Sequence, residues 1–340
     1  MAVLSCWSLE TGPCFGRLPM SPTIANVKRT YTRVPTLQAL ARWERKARAA
    51  AGTALFPLYW LGAHRYGLPG LRFGIDSFRL GLRSLLGNRG DVSYAEIYCM
   101  LFAPVESTRY FEFGLAWDFI SDISIGRYLD VSSPRLFPLA LMTERRKAIA
   151  ELINPNEEDL RATTALVRAC GLADRCTLSH CLIEEAPFRP GTFDLITSIS
   201  VVEHIPADKN AVQQMWGLLK PGGRLVLSVP CAAAAEEQYI DVDQFCLQQP
   251  DKGGFFFLQY VYDDALLQER FYSVVGRPAR HGIYGEREPG TLRRGLVKKW
   301  SGGKYPRWRE PYTMAQDFQH YEKLADLPGE GVIVMEFEKK

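Results

Sequence analysis

From Gly126 to Pro230 short apolar runs alternate with helix-length amphipathic stretches, and this alternation constrains the fold more than any other feature. Strands separated by helices pair in parallel, because each helix carries the chain back across a face of the sheet. The strand-like runs are Gly126–Ser133, Ala148–Asn154, Cys176–Ile183, Phe193–Ser200 and Arg224–Pro230. Between them "PLALMTERR", Pro155–Gly171 and "DKNAVQQMWGLL" read as helices. Pro155–Gly171 has acidic residues in its first turn and a closing glycine, as the helix dipole and a left-handed cap favour. A last strand is expected at Gly331–Lys340. The pattern predicts an α/β domain with helices on both faces of a mostly parallel sheet.

Ahead of this region the charge changes. Residues 1–90 hold 13 Lys/Arg and 3 Asp/Glu, whereas the rest holds 28 and 35. A basic segment before a mildly acidic body suggests units with different surroundings. Residues 1–35 contain four prolines and no clear element, and read as a poorly ordered leader dispensable for folding. Residues 36–50 carry Leu37, Leu40, Trp43 and Ala47 at helical spacing; Pro57 and the Gly67–Gly70 cluster are expected to break the next stretch. Leu71–Gly87 reads as an amphipathic helix with Arg72, Arg79 and Arg83 on one stripe. Residues 91–125 read as helical with a break at Pro104. The domains expected are thus 1–35, a basic helical extension over 36–125, and an α/β domain over 126–340.

The block Phe193–Pro230, "FDLITSISVVEHIPADKNAVQQMWGLLKPGGRLVLSVP", carries three motifs at fixed spacing. It resembles the second half of the class I, Rossmann-like, S-adenosylmethionine-dependent methyltransferases. In them "FDLI", "VVEHI" and "LKPGGRLVLSVP" mark the fourth strand, the turn and helix after it, and the entry to the fifth. The resemblance spans Gly126 to about Val275. It implies a seven-stranded, mostly parallel sheet with an antiparallel last strand, a ligand at the carboxyl ends of the strands, and S-adenosylmethionine as cofactor.

By the same resemblance the cofactor would meet Asp130, Ser132 and Ser133 after the first strand, Asn154 after the second, Cys181 and Leu182 after the third, and Ser198 and Ile199 on the fourth. The family's D-x-G-x-G turn is here Asp130-Val131-Ser132-Ser133-Pro134-Arg135, with the aspartate kept and both glycines replaced. Asn154 stands where an acidic residue usually grips the ribose, with Glu151 as the alternative and helix capping as a competing role. Near Cys181-Leu182 the family's adenine-binding aspartate is missing.

Methyl transfer from a sulfonium needs alignment and dryness first, and a base only for a hydroxyl or protonated amine acceptor. Candidate catalytic residues are His204, Glu236 and Tyr239, with Glu237 and Asp241 beside them. Residues 90–125, with Arg109-Tyr110-Phe111-Glu112 and Trp117, are expected to form an acceptor lid. The acceptor expected is a small molecule or a lipid-linked one, not a nucleic acid, with peripheral membrane contact through the basic N-terminal helices. Eight cysteines without a C-x-x-C pair and no H-E-x-x-H motif point to reduced thiols, no metal and a cytoplasmic location. A non-methylating relative, or a pseudoenzyme scaffold of the same fold, is the alternative; the oligomeric state is open.

Overall fold

The computed structural model describes residues 27–34, 41–87, 91–245, 248–300 and 307–340. It opens on strand β1 (Lys28–Thr32) and four helices, α1 (Arg42–Arg65), α2 (Arg72–Gly87), α3 (Tyr94–Phe102) and α4 (Arg109–Ile120). Then come β2 (Arg127–Val131), α5 (Leu136–Glu144), β3 (Ile149–Ile153), α6 (Glu157–Ala169) and β4 (Cys176–Ser179). The second half runs β5 (Phe193–Ile199), α7 (Asp208–Leu218), β6 (Leu219–Cys231), β7 (Glu236–Ile240) and β8 (Phe256–Val261). Strands β9 (Arg280–Glu286), β10 (Phe318–Tyr321) and β11 (Gly331–Glu338) complete the chain.

The main sheet has the order β10-β9-β11-β6-β5-β2-β3-β4. Strands β2 to β6 pair in parallel, whereas β11 is antiparallel to both β6 and β9. The expected Rossmann-like arrangement is therefore present, with eight strands instead of seven, because Phe318–Tyr321 adds an antiparallel edge to β9. Alternate residues of each strand feed two cores. Tyr128 joins α2, α4, α5 and α6 on one face; Leu129 and Val131 join α7 on the other. Strand β11 is buried from Gly331 to Phe337, so the C-terminal residues sit in the middle of the sheet.

The fold departs from expectation at three places. Residues 1–35 are not without structure at their end: Lys28–Thr32 pairs in parallel with β7, and β7 pairs with β8, in a separate three-stranded sheet. Residues 1–26 lie outside the described residues, as do 36–40 of the first expected helix. Pro57 does not break that helix, since α1 runs through it for 24 residues. Losing one backbone bond costs about 3 kcal/mol. Packing outweighs it: Phe56 and Ala63 are buried, and Tyr59 meets Trp308 and Tyr312. Finally, Pro221-Gly222-Gly223 lies inside β6 instead of ahead of it. Gly222 takes φ 75° and its N–H donates to the Lys339 carbonyl, tying the start of β6 to the C-terminus.

Candidate active site

Strand order reverses between β2 and β5, which leaves a crevice at their carboxyl ends. Asp130, fully buried, organises its floor. Its Oδ1 accepts from Thr197 Oγ1 at 2.7 Å and from Tyr128 OH at 3.0 Å, and its Oδ2 accepts from the Ser133 N–H at 3.0 Å. Burial raises the Asp130 carboxyl to about 6, against the pull of those hydrogen bonds.

Ser132 stands at the first glycine position and Pro134 at the second; Ser132 and the intervening Ser133 are both used within the protein. Ser132 takes the left-handed conformation, φ 55°, and its N–H and Oγ donate to the Ile153 carbonyl on β3. Ser133 Oγ accepts from the Ile199 N–H on β5 at 3.0 Å. The turn is thus stitched to both neighbouring strand ends. Left-handed backbone costs a residue with a Cβ of order 1 kcal/mol, and more when it is β-branched. Accordingly Ser132→Val is expected to lower stability by more than about 2 kcal/mol, while Ser132→Gly stays within about 1 kcal/mol of the parent. Chemical denaturation of the two variants measures this.

The crevice is lined by Asp130, Ser132, Arg135, Ile153, Asn154 and Asp159 among others. Asn154 Nδ2 donates to Asp159 Oδ2 at 2.7 Å, and its Oδ1 accepts from the Asn156 N–H at 2.8 Å. The helix cap is Asn156, whose Oδ1 accepts from the Asp159 N–H. Glu151 is absent from the lining and pairs with Arg127 at 3.5 Å. A carboxylate does line this part of the crevice, that of Asp159 in the first turn of α6. Arg135 spans the crevice, paired with Asp159 and with Glu96 of α3 at 2.5 Å. Cys181 and Leu182 follow β4 and are half-buried; desolvation raises the Cys181 thiol. Ser198 is buried in β5, and its Oγ donates to the Val131 carbonyl.

Past β5 the chain makes a second strained turn. Ser200 has φ 53°, and its Oγ donates to Glu203 Oε1 at 2.7 Å. Glu203 is 1% exposed, and its Oε2 has no hydrogen-bond partner. From α4 comes Glu112, 0% exposed, whose Oε2 accepts from Arg109 at 2.7 Å while its Oε1 is unpartnered. Burial raises the Glu112 carboxyl, with the charge of Glu203 adding to the effect and Arg109 opposing it. Burial lifts Glu203 to about 7. His204 Nδ1 donates to the Leu258 carbonyl at 2.6 Å, which leaves Nε2 3.7 Å from Glu203 Oε1. Desolvation lowers His204 to about 4, so its ring is neutral and a weak base.

Glu236 and Tyr239 lie on β7. Glu236 pairs with Lys28 and Arg293; Tyr239 OH donates to Glu237 Oε2, which holds Arg29 at 2.7 Å. These side chains are engaged by β1 and by the segment after β9. Sequence reasoning missed Asp159, Arg135 and the Glu112–Glu203 pair. The available signal for Glu112 was its place in the otherwise apolar "RYFEFGLAWDFI". Among the described residues Cys170, Cys176, Cys181 and Cys231 are free thiols, and no group of three metal-ligating side chains occurs; Cys6, Cys14 and Cys246 lie outside them.

Residues 130–227 match the methyltransferase domain family model. The chain is 29% identical over 108 residues to methyltransferase GfsG of Streptomyces halstedii, covering 32% of this chain and 39% of that protein. It is 28% identical over 128 residues to a ubiquinone biosynthesis O-methyltransferase of Psychrobacter cryohalolentis, covering 37% and 46%. The chain spans less than half the length of these curated relatives. A geranyl diphosphate C-methyltransferase from Streptomyces coelicolor A3(2) aligns with 75% of this chain and 84% of its own, at 11% identity and a TM-score of 0.44. The match over residues 130–227 assigns that segment to the methyltransferase domain family, and it lies within the β2–β6 part of the sheet where the strand order reverses.

Proposed function

We propose that the protein transfers a methyl group from S-adenosylmethionine to a small-molecule or lipid-linked acceptor, in the cytoplasm. The observation that carries this is the crevice at the strand-order switch, lined by Asp130, the Ser132-Ser133 turn, Asn154 and Asp159. The donor set suits the cofactor. Asp159 and Asn154 offer acceptors for ribose hydroxyls, the Ser132-Ser133 turn offers a close backbone approach, and Arg135 offers a guanidinium for the methionine carboxylate. Arg135 bridges Asp159 and Glu96 at this crevice, and cofactor binding is expected to open that bridge.

The bound cofactor supplies an electrophilic methyl group. The protein's part is to hold the nucleophile in line and keep water out, which the aromatic residues of α4 favour. When the acceptor carries a proton, Glu203 Oε2 is the group to take it: it is buried, unpartnered and poised near neutral pH. His204 then acts by shaping the turn, through its bond to Leu258.

Calorimetric titration with S-adenosylmethionine and S-adenosylhomocysteine is expected to show saturable one-site binding. Incubation with radiolabelled methyl donor and separated host extracts is expected to label the small-molecule or lipid fraction. Label confined to RNA or protein would refute the acceptor class. The serine stitching favours a second reading, a non-methylating relative or scaffold. No binding of either cofactor form would support the scaffold, and binding without label the non-methylating relative.

A further inference from the structure

Helix α2 is built inside out. Its buried side consists largely of small residues, Gly74, Ser77, Gly81 and Ser84 alongside Phe73 and Leu80. These let it press closely on its neighbours: a Cβ at Gly74 would lie 2.8 Å from Trp60, one at Gly81 would lie 3.0 Å from Leu101, and Ser77 Oγ donates to the Met100 carbonyl. Its large apolar residues point outward. Ile75, Phe78, Leu82, Leu85 and Leu86 are 40% to 87% exposed. Spaced by three, four, three and one, they form one stripe about 100° wide. Arg72, Arg79 and Arg83 line a single edge of that stripe. Arg72 is held by Asp76, Glu144 and the Trp117 ring, whereas Arg79 remains 68% exposed.

We propose that this face of α2 docks on an anionic membrane surface, its apolar stripe entering the headgroup layer and Arg79 and Arg83 meeting lipid phosphates. An apolar stripe edged by arginines is the pattern of a helix lying in the interface plane. The charge of the surrounding chain agrees. Residues 41–87 carry 8 Lys/Arg and 2 Asp/Glu, which favours an anionic surface and opposes a second copy of the same face. Helix α1 bears a second exposed stripe, with Trp43 71%, Leu58 63% and Leu61 59% exposed at helical spacing. No helix among the described residues is long and apolar enough to cross a membrane, so the contact is peripheral.

The test is flotation of the full chain with phosphatidylcholine vesicles, with and without phosphatidylserine. The expected result is co-flotation with the phosphatidylserine vesicles, weakening as salt rises. Phe78→Ser/Leu82→Ser/Leu85→Ser is expected to lower the bound fraction at least about tenfold while the protein stays folded by circular dichroism, since these side chains lie on the outward side of α2. Arg79→Gln/Arg83→Gln is expected to remove most of the salt dependence. No flotation of the parent, or equal flotation of the triple variant, overturns the proposal. So does a concentration-dependent dimer that the serine variant abolishes, without vesicle binding by the parent. Cofactor titration is unaffected by any of these outcomes, so the docking surface and the methyltransferase reading fail separately.

Discussion

Asp130→Ala is expected to weaken S-adenosylmethionine binding at least about tenfold, because the carboxylate shapes the turn that meets the ligand. Its Oδ2 is the partner of the Ser133 N–H, and Ser133 in turn fixes Ile199 on β5. Removing it frees the turn at both ends. The same change leaves buried hydroxyls of Tyr128 and Thr197 without their carboxylate, although they keep each other at 2.6 Å. A loss of about 1–3 kcal/mol is expected where the parent carboxyl is protonated, at pH 5. The sign with pH comes from its raised value. Asp130 binds its proton more tightly folded, at about 6, than at the ordinary 3.8, so the parent loses stability as pH rises through that window. The gap between parent and alanine variant therefore narrows toward pH 7. Asp130→Asn separates the two effects. Its oxygen still serves both hydroxyls, but its amide meets the Ser133 N–H donor to donor, so affinity falls and the stability loss that remains is that of the turn alone. Titration calorimetry and denaturation at two pH values measure all of this; an alanine variant with parental affinity would exclude the ordering role.

The strand and helix alternation was legible because each element from β2 to β6 has its own local pattern. Buried parallel strands read as apolar runs, and α6 and α7 read as amphipathic helices with turn residues after them. The illegible parts depended on distant partners. KRTYT becomes a strand only because β7 offers it an edge, 208 positions later at Arg29 and Glu237. Pro57 is tolerated only because Trp308 and Tyr312 pack on α1. Along the crevice, the positions after β2 and β3 were readable from motif spacing, but their hydrogen-bond partners were not. Asp159 reads as a dipole-favoured first-turn residue until Arg135 and Asn154 turn toward it. Glu112 reads as one side of an (i, i+3) pair with Arg109 until the fold buries it near Ser200 and Glu203. Eight strands instead of seven has the same origin, since "FQHY" carries no strand pattern of its own and pairs because β9 leaves an open edge.

Glu203→Gln is expected to abolish most methyl transfer and yet make the protein more stable above neutral pH. Glu203 and Glu112 share one guanidinium, that of Arg109, and each keeps one oxygen without a partner. Two ionised carboxylates there would leave a buried excess of negative charge. Burial instead lifts Glu203 from 4.5 to about 7 and also raises Glu112. Glu203 therefore contributes stability below about 4.5 that is lost as pH rises to about 7. Its neighbour works the other way. His204 is lowered from 6.5 to about 4, so its contribution is present above 6.5 and is lost as pH falls through 4. The two slopes oppose each other between about 4.5 and 6.5. In Glu203→Gln only the His204 slope remains of the pair. Relative to the parent, the variant should gain stability progressively between about pH 4.5 and 7 and exceed it at pH 8 by up to about 3 kcal/mol, the cost of ionising the buried carboxyl. Ser200 can still donate to the amide oxygen, which preserves the turn. Cofactor affinity should stay at the parental value while the methylation rate falls at least about a hundredfold, the usual contribution of a positioned base. Equal stability of the two proteins at pH 8 would mean that Glu203 is not ionised against its surroundings. An unchanged rate would assign it to the turn alone and move the proton's destination to Glu112, whose buried Oε1 also lacks a hydrogen-bond partner.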